Sequence, residues 1–246
     1  MIWRVEHFAE IDSTNSWLVN EAADGAAEGL VALADYQSKG RGRLDRQWES
    51  PPGASLLCSI LLRPRLEPDQ LQLAVAAVAL AARAALVRLS GVRPALKWPN
   101  DLIVADAKLA GLLAEVAVAT EGFAVVVGLG VNLTYCPDSV VSTSVLKESG
   151  VTISPRALLD IVLEELEGRR ELLDSDEGRA SLRAEYEKAL VTLGQFVRVE
   201  TADHVYVGTA QRIDRAGRLV VDVDGVGMKF SAGDVVHLRP HAGDVG

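Results

Sequence analysis

The chain has 246 residues, 49% hydrophobic and 24% charged, with a formal net charge of −9, which suffices for one substantial core and a smaller second unit. An acidic balance argues against a surface that tracks a polyanion, and the 2 cysteines and 4 histidines show no metal-ligand spacing. The apolar stretch 71–82 is followed by Arg83 and Arg88, so no membrane span is expected, and Arg4, Glu6, His7, Glu10 and Asp12 interrupt any signal-peptide core. The expected compartment is the cytoplasm, with Cys58 and Cys136 as core or near-core thiols.

Ser13-Thr14-Asn15 precedes an apolar run through Ala23 and reads as a capped helix start. Leu30–Ala34 is a buried-strand pattern, Ser55–Leu62 another, and the segment between them is rich in glycine and arginine. A long helix is predicted over 68–89, opened by Pro68 and stopped by Gly91. The next stretch reads as a hairpin, one strand over 95–104, a turn at 105–107 and a second strand over 108–116. Residues 123–127 form a continuous apolar strand, followed by Gly128-Leu129-Gly130-Val131-Asn132. That Gly-x-Gly lacks the third glycine and the helix of a dinucleotide fingerprint. Helices are predicted over 155–173 and 176–190, giving an α+β (mixed α/β) fold: a central mixed β-sheet flanked by helices. After Thr192 the texture changes to short alternating strands at 196–200, 206–213, 218–223 and 228–230, which read as a small β-barrel with a frayed end at 240–246. Two units are therefore expected, 1–191 and 192–246.

The segment Ser38 to Trp48 carries Lys39, Arg41, Arg43 and Arg46. Two cations about 4 Å apart repel by roughly 4 kcal/mol at an effective dielectric near 20, so this loop is expected to order fully only over an anion. Arg41 and Arg43 offer planar, bidentate donors, and Gly40 and Gly42 let backbone approach a ligand; the competing reading is a solvated surface loop. It is not a P-loop, because the Gly-Lys-Ser/Thr ending is missing. Trp48 is either a core residue or a stacking surface for a base. If the hairpin forms, Asp101 and Lys108 meet across it, either as a simple ion pair or as a cation for an anionic intermediate beside a carboxylate for a metal or an amine.

Taken together, Ser13-Thr14-Asn15, Gly40-Arg41-Gly42-Arg43, Lys97-Trp98-Pro99-Asn100-Asp101, Lys108-Leu109-Ala110-Gly111 and Gly128-Leu129-Gly130-Val131-Asn132 resemble, in order and spacing, the biotin protein ligases. The resemblance implies a class II synthetase-like biotin/lipoate ligase domain with an SH3-like C-terminal barrel. It implies ATP and biotin as substrates, Mg²⁺ on the triphosphate, and transfer of biotin to a lysine of a biotin carboxyl carrier domain. Ser13, Thr14, Asn15, Gln37, Gly40, Arg41, Gly42, Arg43, Lys108 and Gly111 would then bind biotin. Arg41, Arg43, Trp48, Asn100, Lys108 and Asn132 would serve the nucleotide; Arg43, Lys108 and Asp101 would be catalytic, with Asp101 as the metal candidate. One departure stands out: Asp45 occupies a position where the family usually has glycine. A lipoate or octanoyl ligase of related fold is the nearest alternative. Only twelve residues precede Ser13, too few for a helix-turn-helix, so no DNA binding is expected, and the state is expected to be monomer or homodimer.

Overall fold

The computed structural model describes residues 2–44, 46–118, 123–138, 140–201, 203–231 and 233–238. The sequence expectations about Asp45 and about residues 240–246 fall outside these.

Seven strands form one sheet: β1 (Arg4–Phe8), β2 (Leu30–Ala34), β3 (Ser55–Leu62), β4 (Ala95–Lys97), β5 (Asp101–Val104), β6 (Ala107–Val118) and β7 (Phe123–Asn132). Their order is β1-β2-β3-β7-β6-β5-β4; β1 and β2 are parallel and every other pair is antiparallel, so the sheet is mixed. The expected single strand over 95–104 is two strands. Pro99 has no N–H to give a ladder, and the chain turns there, at a cis Trp98–Pro99 peptide, so that Ala95 pairs back with Ile103. The strand expected over 123–127 continues to Asn132.

Alternation along β3 and β7 assigns the faces. Leu56, Cys58, Ile60 and Leu62 of β3, with Val125, Val127, Leu129 and Val131 of β7, enter the large core shared with helices α2 (Leu71–Ser90), α4 (Pro155–Leu172) and α5 (Asp176–Ala189). On the opposite face, Leu61, Ala124 and Val126 pack under helix α1 (Thr14–Ala23) in a small second cluster with Leu18 and Ala22. That helix covers only one end of the face. Its first turn sets Thr14 and Asn15 on Ser59 and Asn15 over Gly128, and Gly130 and Asn132 lie beyond it.

Helix α2 starts from a short 3-10 turn, Pro68–Gln70, with a reciprocal Glu67/Gln70 capping box, and stops at Gly91, whose left-handed backbone (φ 74°) lets its N–H reach Val87 O. With that lead-in it is long and apolar enough to cross a membrane, longer than a reading cut at Arg83 allows. It is nevertheless a core helix: residues 73–82 are all buried, and Arg83 turns its Nε to Pro94 O at 2.8 Å. A short helix, α3 (Val145–Ser149), follows β7, capped by Ser144 and ended at Gly150.

The C-terminal strands are β8 (Phe196–Glu200), β9 (Val205–Ile213), β10 (Leu219–Val223), β11 (Val226–Phe230) and β12 (Asp234–His237). They form an antiparallel sheet in the order β11-β10-β9-β8-β12, a meander whose last strand returns beside its first. Val197, Val199, Ala210, Ile213, Leu219, Val221 and Phe230 of this sheet belong to the same core as α2 and β3. Trp98, 1% exposed, sits at the junction; its Nε1 donates to Gly217 O at 3.3 Å and its N–H to Thr192 Oγ1 at 3.0 Å.

Candidate active site

The uncovered end of the sheet face is the floor of a cleft of about 660 Å³, walled by the start of α1, the cationic loop, the β4–β6 turns, Pro137, residues 140–142 and the segment at Asp234–Val235. Its floor is made of glycines. Gly111 of β6 pairs with Gly130 of β7, and Gly128 lies two residues along. A Cβ at Gly130 would stand 2.6 Å from Trp48, and one at Gly111 would stand 2.9 Å from Lys108 and 3.1 Å from Trp48. Any side chain there would evict the indole, so Trp48 is a half-exposed cleft wall and not a core residue.

The cationic loop is a small hairpin in which Gly42 N donates to Arg46 O at 2.6 Å and Trp48 N to Gly40 O at 3.0 Å. Its cations are met by partners that the loop sequence does not contain. Arg41 Nη2 donates to Glu115 Oε2 at 2.5 Å, Arg46 Nη2 to Asp234 Oδ2 at 2.5 Å, and Arg43 donates to Asn100 Oδ1 at 3.1 Å and Gly233 O at 3.2 Å. Burial pushes the Arg43 guanidinium below its ordinary value, with Asp101 and Asp234 opposing the shift and Arg46 adding to it. It stays protonated near neutrality. Gly40 does not line the cleft; it is buried where the loop crosses itself, with Trp48 O occupying the space of a Cβ.

The helix side of the cleft is a polar wall. Ser13 is the N-cap of α1, accepting from Ser16 N at 3.4 Å, so the capping and pocket readings of this residue are compatible. Thr14 N and Thr14 Oγ1 donate to Gln37 Oε1 at 2.7 and 3.0 Å. A backbone N–H can be met only by an acceptor, so this bond fixes the Gln37 amide with its oxygen inward and its Nε2 turned outward. Asn15 is oriented the same way: its Nδ2 meets Leu113 O at 3.1 Å and Glu115 Oε2 at 2.8 Å, which turns Oδ1 to Ser59 Oγ at 2.5 Å.

Opposite this wall, Lys108 Nζ lies 2.6 Å from Asp101 Oδ1, the meeting expected across the turn, and 5.8 Å from the Trp48 ring centroid. Asn100 brackets the loop to β6, donating from Nδ2 to Leu112 O at 2.7 Å while its Oδ1 takes Arg43. Asn132, 3% exposed, donates to Thr143 O at 3.0 Å and so holds Thr143 beside the end of β7. Of the predicted site residues other than Gly40, all line the cleft. Among the described residues no group of three His, Cys, Asp or Glu side chains could cage a metal. Cys58 belongs to the core behind the cleft, its thiol pushed up to about 12 by burial and therefore inert.

Residues 8–132 match the model of the biotin/lipoate A/B protein ligase family, and residues 192–238 match the biotin protein ligase C-terminal domain. The chain belongs to the biotin/lipoate A/B protein ligase family. It is 39% identical over 247 residues to a biotin–[acetyl-CoA-carboxylase] ligase of Mycobacterium tuberculosis, covering 96% of this chain and 90% of that one. It is 31% identical to the bifunctional ligase/repressor BirA of Escherichia coli, covering 92% of this chain and 71% of BirA. The biotin protein ligase of Aquifex aeolicus, solved in complex with biotin and ATP, shares the fold with a TM-score of 0.81 at 24% identity over 97% of this chain and all of that one.

In this ligase-family site the residues that sequence reasoning missed are Ser59, Glu115 and Asp234. Glu115 carried a signal: apart from Lys108 it is the only charged residue in β6. Asp234 carried none, because its partner Arg46 lies 188 residues away.

Proposed function

We propose that the protein is a biotin protein ligase that activates biotin with ATP and transfers it to a lysine of a biotin carboxyl carrier domain. The observation that carries this reading is the glycine-floored cleft, in which Trp48 is seated against Gly130 and Gly111 between a polar amide-and-hydroxyl wall and the cations Arg43 and Lys108. Ser13, Thr14 and Gln37 suit a polar ureido ring better than the bare alkyl end of a lipoyl or octanoyl chain.

In the first step a carboxylate oxygen of biotin attacks the α-phosphorus of ATP, the C–O–P bond forms, and the α–β bridge breaks to release pyrophosphate. Two anions are brought together, so the chain's contribution is fixed positive charge: Lys108 beside the reacting oxygens and Arg43 of the loop over them. The Trp48 indole gives the adenine a flat surface. In the second step a lysine amine attacks the acyl carbon, the amide forms, AMP leaves and the amine loses a proton. Asp101 would orient that amine or accept the proton once bound phosphate draws Lys108, now 2.6 Å from its carboxylate, away from it.

A magnesium ion fits this donor set only as the companion of the triphosphate. Mg²⁺ is held by one or two carboxylates plus substrate phosphates and water, and Asp101 supplies one carboxylate. Charge neutralisation on the phosphates is what the ion provides when bound.

The test is isotope exchange of pyrophosphate into ATP. Exchange is expected with biotin and not with lipoate; exchange independent of biotin would overturn the reading. In Asp101→Asn, transfer from preformed adenylate is expected to slow; if transfer is unchanged and adenylate synthesis falls, Asp101 serves the metal instead.

A further inference from the structure

Six side chains join in one chain of hydrogen bonds that runs from the loop to the polar wall: Arg41, Glu115, Asn15, Ser59, Thr14 and Gln37. Glu115 is the only member that is an obligate acceptor with no donor of its own. That property sets the order of the rest. Because the carboxylate takes hydrogens from both Arg41 and Asn15, Asn15 must present Nδ2 to it and Oδ1 to Ser59. Ser59, fully buried, has a single proton and must give it to that Oδ1. Thr14 Oγ1, 2.7 Å from Ser59 Oγ, gives its own proton to Gln37 Oε1, which the Thr14 N–H also holds, so the Ser59 and Thr14 hydroxyls share their two protons among three contacts.

We propose that Glu115 is a positioning residue for the biotin pocket, and that Arg41 is its loop-side anchor and not a contact to the substrate's anionic groups. The proposal rests on the reading that this cleft binds biotin. Loop closure and the setting of the wall's donors and acceptors are then one event, since seating Arg41 on Glu115 fixes the same carboxylate that orients Asn15. Arg43, which is held by Asn100 and a backbone carbonyl and has no carboxylate bonded to it among its hydrogen-bond partners, is left as the loop's cation for the anion.

Glu115→Gln keeps the shape but lets the side chain donate or accept, so Asn15 loses the shorter of its two obligate acceptors and is oriented by Leu113 O alone. The Arg41–Glu115 pair is partly exposed (45% and 27%) and contributes little to overall stability, so the variant should fold, with its melting curve as the control. Glu115→Gln and Arg41→Ala are each expected to raise the biotin KM in pyrophosphate exchange about tenfold, leaving kcat and the ATP KM within about twofold, and the double variant to be no worse than either. Arg41→Lys should recover part of the loss. Additive effects in the double variant, or a rise in the ATP KM of Arg41→Ala, would overturn the proposal. Biotin-dependent exchange by the unsubstituted protein tests the functional reading separately. Tryptic cleavage within residues 39–46 without any ligand tests the anchor alone: Glu115→Gln should be cut several-fold faster, and an unchanged rate would overturn it.

Discussion

At Gly130 one methyl group decides the shape of the site. The nearest Trp48 atoms lie 2.6 and 2.7 Å from where a Cβ would stand, inside any real contact distance. Overpacking of this kind costs roughly 1–3 kcal/mol, paid here by lifting the indole. Gly130→Ala should therefore lower kcat/KM for ATP in the exchange assay by about tenfold or more, with little change in melting temperature. A wild-type value would mean that the indole does not hold the nucleotide. Arg43 invites the complementary experiment. Arg43→Ala removes a half-buried cation bonded to Asn100 and Gly233, and should release adenylate and raise labelling of unrelated lysines; unchanged leakage would show that Arg43 does not hold the intermediate. At this scale the sequence brought out residues that converge on one cleft and not what each one touches. The motif Gly128-Leu129-Gly130 was visible, but the tryptophan that explains it lies some eighty residues earlier.

Elements were legible where their burial was uniform. All of β3 is buried, so its apolar run reads directly as a strand, whereas β1, with Arg4, Glu6 and His7 on a five-residue edge strand, looks like polar leader sequence. β12 is four residues long and equally quiet, yet it holds the loop through Asp234 and carries His237. Asp234→Asn should leave the loop hairpin less protected, seen as faster amide hydrogen exchange at residues 41–47; equal protection would show that the clasp is incidental. His237 gives β12 a pH signature. Burial lowers its pKa from 6.5, Lys97 lowers it further and Asp106 opposes. Above about pH 6.5 the imidazole is neutral in both folded and unfolded chains; below it the unfolded chain takes the proton first, so stability falls as pH drops through the lowered value. Between about pH 7 and pH 5 the melting temperature of the natural protein should fall more than that of His237→Gln. Parallel curves would place the imidazole in water.

Across the whole molecule, the change of texture at Thr192 suggested two units, and we infer a division at 191/192. The packing shows why the division is not a separation. One core contains α2, α4 and β3 together with Val197, Ala210, Leu219 and Phe230, and Leu96 and Trp98 reach from the first sheet toward the second. Val191 N donates to Leu96 O at 2.9 Å, and Trp98 bonds both Thr192 and Gly217. The Trp98-Pro99-Asn100-Asp101 turn is thus held at one end by the C-terminal sheet and at the other presents Asn100 and Asp101 to the cleft. Loss of the Trp98 indole should act on both. Trp98→Ala removes a fully buried ring and the indole's tie to Gly217 across the junction, while the backbone bond to Thr192 remains, a change worth roughly 3–5 kcal/mol. If the sheets share one core, the variant melts at a lower temperature in a single transition, with near-ultraviolet and far-ultraviolet dichroism coincident. Where it stays folded, exchange activity should fall because Asn100 no longer brackets Arg43. Two resolved transitions, or a destabilised variant with full activity, would show that the C-terminal sheet is only attached to the catalytic one and does not shape its site.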